Sequence, residues 1–306
     1  MKRNTLQKYI PILGLIIVIA LFAIITGGKT LKPTNLEQIV NQSFTVMLSC
    51  AGVAFVMSMG SLDFSQGSIL AIASYCAGWA AGVNIWLGLL VGIIVGFIIG
   101  SLNGWIYSKF KIPSFIVTIC TMLIFRAIEI VLAADYPPAV PNKIFDYDNF
   151  IFKSSIVVIL LIAGFILFYY TKFGRQVKAI GAGEIAAMFS GVKVNRIKIL
   201  AFALAGAMAG VAGFFTLART GLVSSSTGTL HETNVMIALV LGGLPVSGGA
   251  KSRYTAVIIG ALLISVLVNG LVQIGVDTVM QQLIKGIIFL VVIIITTDRK
   301  ADMVSK

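Results

Sequence analysis

Long apolar runs alternate with short polar breaks along nearly the whole chain. Ten runs stand out, at about 9–27, 38–60, 66–82, 85–107, 113–133, 152–171, 197–219, 232–249, 253–271 and 279–297. Runs of this length and apolarity predict membrane-spanning helices. Several lie near the lower limit of about 17–25 residues for a span, so tilted, broken or re-entrant segments are expected among them. The predicted fold is all-α: a polytopic membrane protein of about ten transmembrane helices, with residues 1–306 forming a single transmembrane domain. The first run follows a basic segment but has no Ala-x-Ala-like exit, and Thr26-Gly27-Gly28-Lys29 follows it, so it is read as an uncleaved span.

The longest polar interruption covers about residues 172–198 and is basic. Within it lies an island, Glu184-Ile185-Ala186-Ala187-Met188-Phe189, with Gly181 and Gly183 before it, then Ser190 and Gly191 after. Flanking glycines and an acid in the first turn predict one short helix outside the membrane. It has a small alanine face and a larger Met188/Phe189 face, suited to docking a soluble partner. Asn195 is the expected N-cap of the next long helix, starting around Ile197.

Composition agrees with the pattern. Of 306 residues 58% are hydrophobic and 11% charged, more apolar surface than a soluble domain can hide. The net charge of +12 is explained by where the basic residues sit, which argues against a nucleic-acid partner. Lys2, Arg3 and Lys8 precede the first run; Lys109 and Lys111 follow the fourth. Lys172, Arg175, Lys178, Lys193, Arg196 and Lys198 fill the long interruption, Lys251 and Arg253 precede the ninth run, and Arg299, Lys300 and Lys306 follow the tenth. The intervening loops hold only Lys29, Lys32, Lys143, Lys153 and Arg219, with Asp135, Asp146 and Asp148 among them. That alternation predicts a plasma-membrane protein with both termini and the long interruption in the cytoplasm. Cys50, Cys76 and Cys120 fall within apolar runs without ligand-like spacing and read as small core residues.

Polar residues in or beside the runs are the candidates for function. Asp63 sits in Gly60-Ser61-Leu62-Asp63-Phe64-Ser65-Gln66-Gly67-Ser68. An acid between apolar runs either faces a pathway or, with Ser65, caps the next helix. Gly88, Gly92, Gly96, Gly100 and Gly104 draw one ridge along a helix, suited to close helix packing or to a sliding surface, and Asn103 sits beside it. Pro113-Ser114-Phe115-Ile116-Val117-Thr118 opens the fifth run, and Arg126 and Glu129 at i,i+3 are expected to pair, as structural glue or as a rim for a polar solute. His231 beside Glu232 reads as a hydrogen-bonded loop pair, and Asn269 and Gln273 share a helix face that can border a polar lumen. The proline-stiffened loop 135–141 suits contact with an external receptor. No phosphate-binding loop, His/Cys cluster or nucleophile–base spacing is present, so neither a catalytic nor a metal site is expected.

Gly174-Arg175, Ala179-Ile180-Gly181, Ala186-Ala187, Ser190-Gly191, Val194, Lys198 and Ala218-Arg219 resemble the coupling segment of ribose-type ABC transporter permeases. Gly60-x-x-Asp63-Phe64-Ser65-x-Gly67-Ser68 is similar to that family's Gly-Gly-Ile-Asp-Leu-Ser-x-Gly motif. Pro113–Thr118, Arg126, Leu241-Gly242-Gly243, Ser247-Gly248-Gly249 and Asn269-Gly270-Leu271 extend the resemblance over nearly the whole chain. It implies the permease of a monosaccharide importer that is not an enzyme. The implied partners are a cytoplasmic ATPase with tandem nucleotide-binding domains, a second permease subunit, identical or not, an extracytoplasmic binding protein and membrane lipids. ATP and magnesium would bind the ATPase, and this chain would need no cofactor. Gly181, Glu184, Ala186, Ala187, Ser190 and Gly191 would couple to the ATPase. Asp63, Ser65, Asn103, Thr118, Arg126, Asn269 and Gln273 are the pathway candidates. His231-Glu232-Thr233-Asn234 stands where sugar permeases carry Tyr-Glu-Leu-Asp, Ser61 replaces a motif glycine, and Pro245 and Lys251 sit in an unusual turn; related permeases carry nucleosides, autoinducer-2 or branched-chain amino acids. The contrasting expectation is an ion-coupled transporter that works alone, which calls for midplane carboxylates.

Overall fold

A computed structural model describes residues 2–296, with side chains for 10–294. Arg299, Lys300 and Lys306, and the side chains of Lys2, Arg3 and Lys8, therefore lie outside the described residues.

Each predicted apolar run is occupied by a helix. In chain order these are α1 (Lys2–Ile25), α2 (Pro33–Ser58), α3 (Gln66–Ala81), α4 (Ile85–Phe110), α5 (Ser114–Asp135) and α6 (Phe150–Tyr170). After the short α7 (Lys172–Ala182) and α8 (Glu184–Phe189) come α9 (Val194–Thr220), α10 (His231–Leu241), α11 (Ala256–Gln273) and α12 (Thr278–Thr296). Among the described residues, six of them, α2, α4, α5, α6, α9 and α11, are long and apolar enough to cross a membrane. α2 and α4 have 26 residues and α9 has 27, about 39 Å at ~1.5 Å per residue.

α2 and α9 form the buried centre, while α4, α5 and α6 turn Phe97, Ile98, Leu123, Ile124, Ile159 and Ile162 outward. Such apolar outer faces suit lipid and not water. From Gly92 to Gly104 the glycine ridge of α4 lies on α9, while Gly88 meets Ala77 and Ala81 of α3. A Cβ on Gly96 would strike the carbonyl of Gly206, one on Gly206 would strike that of Gly96, and Gly100 stands likewise against Phe202. Removing side chains at both faces lets the two backbones touch, the usual way membrane helices gain packing.

The structure corrects four readings. The eighth run supports only the 11-residue α10, about 16 Å long, because Gly242, Gly243, Pro245, Gly248 and Gly249 turn the still-apolar chain before α11. The polar interruption holds two helices: α7 places Val177 and Ile180 inward one turn apart, a face short enough to escape an apolar-run search. α9 begins at Val194 with Lys193 at its N-cap, so Asn195 lies inside the helix and caps nothing. Cys120 is exposed, unlike buried Cys50, so it is no core residue.

Candidate functional site

Two short helices meet inside the bundle. α3 and α10 both have their N-termini there: a Cβ on Gly67 would strike the Gly228 carbonyl, and one on Gly228 would strike the Gly67 carbonyl. Gly228 has φ +68°, so glycine meets both the space and the backbone requirement. Asn103, seven residues before the end of α4, and Arg126, twelve residues into α5, bracket this crossing about 10–18 Å from the end of the bundle that carries α7.

Arg126 organises one side of the crossing. Its Nη1 donates to the Thr227 carbonyl at 2.5 Å and its Nη2 to that of Gly228 at 2.9 Å. Nη2 also lies 3.6 Å from Glu232 Oε2. The expected Arg126–Glu129 pair is replaced by this longer-range one: both oxygens of buried Glu129 lack a hydrogen-bond partner. His231 and Glu232 are likewise no loop pair. They open α10, and His231 Nε2 lies 2.8 Å from Ser49 Oγ on α2.

Loop 59–65 forms the other side. The Asp63 carboxylate accepts from Ser65 N at 2.9 Å, Ser65 Oγ at 2.5 Å and Gln66 Nε2 at 2.7 Å. Asn103 Nδ2 donates to Ser65 Oγ at 2.9 Å. Thr118 Oγ1 accepts from Phe64 N at 3.1 Å, and Ser114 Oγ from Leu62 N at 2.9 Å. Four of the pathway candidates, Asp63, Ser65, Asn103 and Thr118, thus converge on one loop, with Arg126 beside it. Asn269 and Gln273 do not join them: Gln273 donates to Asn269 at 3.2 Å and accepts from Thr30 at 3.2 Å, fastening the end of α11 to the turn after α1. Buried acceptors without a hydrogen-bond partner include Gln66 Oε1, Asn103 Oδ1, Glu232 Oε2 and both oxygens of Glu129.

At the end of the bundle, α7 and α8 form a fastened shelf. Thr171 caps α7 by accepting from Gly174 N at 3.3 Å, and Val177 and Ile180 are buried. Lys178 lies 4.6 Å above the Phe168 ring and 4.9 Å above Tyr169; burial, then repulsion from Arg175, lowers its pKa. Gly181 packs where a side chain would strike the Ser58 carbonyl and Gly249, and Gly249 N donates to Ser58 O at 2.9 Å. In α8 Ala187 is buried, while Ala186, Ser190 and Gly191 are exposed. Ile185, Met188 and Phe189 project outward, Phe189 with 83% exposure. Glu184 Oε1 accepts from Lys198 Nζ of α9 at 2.8 Å.

The sequence reading missed Ser61, Ser114, Tyr107 and Gly228 as partners in this arrangement. Tyr107 had a legible signal, a hydroxyl at the apolar end of a run, but its partners are distant in the chain.

Comparison with known proteins gives a consistent result. Residues 35–293 match the family described as branched-chain amino acid transport system / permease component. A ribose import permease protein of Bacillus subtilis is 34% identical, covering 97% of this chain and 94% of its own length. That of Escherichia coli K12 is 29% identical over 92% of this chain and 93% of its own. A xylose transport system permease protein of Haemophilus influenzae is 28% identical over 99% of both. No solved structure matches the chain significantly.

Proposed function

Because the chain belongs to the branched-chain amino acid transport system / permease component family, we propose that it is the transmembrane subunit of an ATP-binding cassette importer that carries a monosaccharide. The observation that carries this reading is end-to-end similarity to ribose and xylose permeases, over 92% of the chain or more. The chemistry at the α3–α10 crossing supports it. Orphaned acceptors at Gln66, Asn103, Glu129 and Glu232 lack O–H donors, which a polyhydroxylated solute supplies.

The ten helices other than α7 and α8 form the membrane domain, with α3 and α10 as its short elements. The shelf α7–α8 faces the cytoplasm with Lys109, Lys111, Lys172, Arg175, Lys193 and Arg196 around it, as positive charge does on that side; both termini are on the same side. α8 is the coupling helix. Its outward Ile185, Met188 and Phe189 enter a cleft of an ATPase with tandem nucleotide-binding domains, and α7 gives it a rigid backing. ATP and magnesium bind that partner, and this chain holds no cofactor. A second permease subunit completes the pathway. At the opposite face an extracytoplasmic binding protein docks on the loop after α5, where Tyr75 Oη donates to Tyr136 O at 2.8 Å and Pro138 packs on Gly78. That protein selects the solute, so the permease needs only weak, transient contacts.

The family's description favours a second reading, a branched-chain amino acid as the solute. Purifying the tagged protein from its native membrane in mild detergent, with the co-purifying chains identified by mass, tests the class. An ATPase and a binding protein are expected, and the ligand of the latter separates sugar from amino acid. A lone protein that transports without ATP would overturn the reading in favour of an ion-coupled transporter.

A further inference from the structure

A continuous set of contacts runs from α8 to the crossing. Glu184 Oε1 is 2.8 Å from Lys198 Nζ, and that ammonium lies 4.3 Å from the centre of the Tyr107 ring on α4. Tyr107 Oη is 3.0 Å from Ser61 Oγ in loop 59–65. From Ser61 the loop is fixed to α5 through Ser114 and Thr118, to α4 through Asn103, and onto the start of α3 through Asp63. Lys198 and Ser61 are both buried, 6% and 2% exposed. A second contact starts from the same shelf: Gly181 abuts Ser58 and Gly249, so the turn that follows α10 touches α7 directly. The shelf therefore meets the chain flanking both short helices, on the N-terminal side of α3 and the C-terminal side of α10.

We infer that Lys198 and Tyr107 are positioning residues that transmit displacement of α8 to loop 59–65, and so to the crossing of α3 and α10. Three properties carry this. The lysine ammonium has one carboxylate and one aromatic face as partners, so a shift of Glu184 changes both attractions together. Tyr107 is a rigid lever with its ring under the cation and its hydroxyl on the loop. The direct backbone contact at Gly181 and Gly249 gives the other half of the crossing its own connection, so one rigid shelf moves both. The inference rests on the reading of α8 as a coupling helix.

The test uses the permease reconstituted in liposomes with its co-purified ATPase and binding protein. The readout is sugar moved per ATP hydrolysed, for the pentose that the wild-type complex transports. Each variant is reconstituted only as the intact complex that co-purifies with its ATPase, so the ratio compares assembled complexes. Tyr107→Phe keeps the ring beneath the ammonium and removes only the contact to Ser61; Lys198→Met removes the cation, and Lys198→Arg keeps it. Tyr107→Phe and Lys198→Met are each expected to lower the ratio about 5-fold or more, the lower range of coupling between linked sites, with Lys198→Arg near wild type. A wild-type ratio in either Tyr107→Phe or Lys198→Met overturns the inference, as does equal loss in Lys198→Arg and Lys198→Met. A wild-type complex that transports without ATP overturns the functional reading itself, before any variant is compared.

Discussion

Arg126 on α5 and Glu232 on α10 face each other at 3.6 Å, 106 residues apart in sequence, while the same guanidinium holds the carbonyls of Thr227 and Gly228. One side chain thereby fixes where α10 begins. Arg126→Ala leaves a mostly buried carboxylate without its counter-charge and two carbonyls without their donor, a change that costs about 3–5 kcal/mol when a buried pair is broken. The expected outcome is a marked fall in thermal stability in detergent. Arg126→Ala with Glu232→Gln should recover part of it, since the uncompensated charge is gone. Arg126→Lys should fall between, because a single ammonium does not reproduce the fork.

Gly67 and Gly228 tolerate no side chain. Either Gly→Ala change should destabilise the fold by about 1–3 kcal/mol through overpacking. Gly286 on α12 is exposed with no atom near its Cβ position, so Gly286→Ala should be neutral or mildly stabilising. Comparing the unfolding midpoints of the three variants checks this.

The same pair of residues shows what the sequence conveys and what it hides. Apolar runs placed the helices because membrane helices announce themselves through composition over some twenty residues. Pairing is another matter. Local spacing assigned Arg126 to Glu129, yet the arginine prefers Glu232, brought to it by the fold of the whole chain. The glycines at Leu241-Gly242-Gly243 and Ser247-Gly248-Gly249 marked a broken helix end and a turn, and α10 does stop at Leu241; only the apolar Leu244 and Val246 carried the run itself further. Glu184 with its flanking glycines was legible as a helix, whereas α7 shows only Val177 and Ile180 as its inward face.

Asp63 accepts three hydrogen bonds, all from Ser65 and Gln66. Its carboxylate therefore holds the entry to α3. Asp63→Asn replaces one acceptor oxygen by a donor amide and should cost about 1.5–3 kcal/mol, the range for hydrogen bonds to a charged group. Folded yield and total uptake are expected to fall together, with uptake per folded permease close to wild type. A drop in uptake per folded molecule would assign Asp63 to the pathway.

Phe189 is the most exposed large apolar side chain of α8. Phe189→Asp should leave permease folding intact and lower retention of the ATPase in detergent pull-downs at least tenfold, as loss of an aromatic anchor does at an interface. Unchanged retention would move the docking surface elsewhere on the shelf.

The head-to-head meeting of α3 and α10 also bears on leakage. Each helix start carries partial positive charge and unsatisfied N–H groups, and here two such starts share one depth. Asp63 and Glu232 set carboxylates against these two starts, with Arg126 beside Glu232, so side-chain charge offsets the helix dipoles. The barrier to ions at this depth is therefore steric: the backbones of Gly67 and Gly228 meet where not even a methyl group fits.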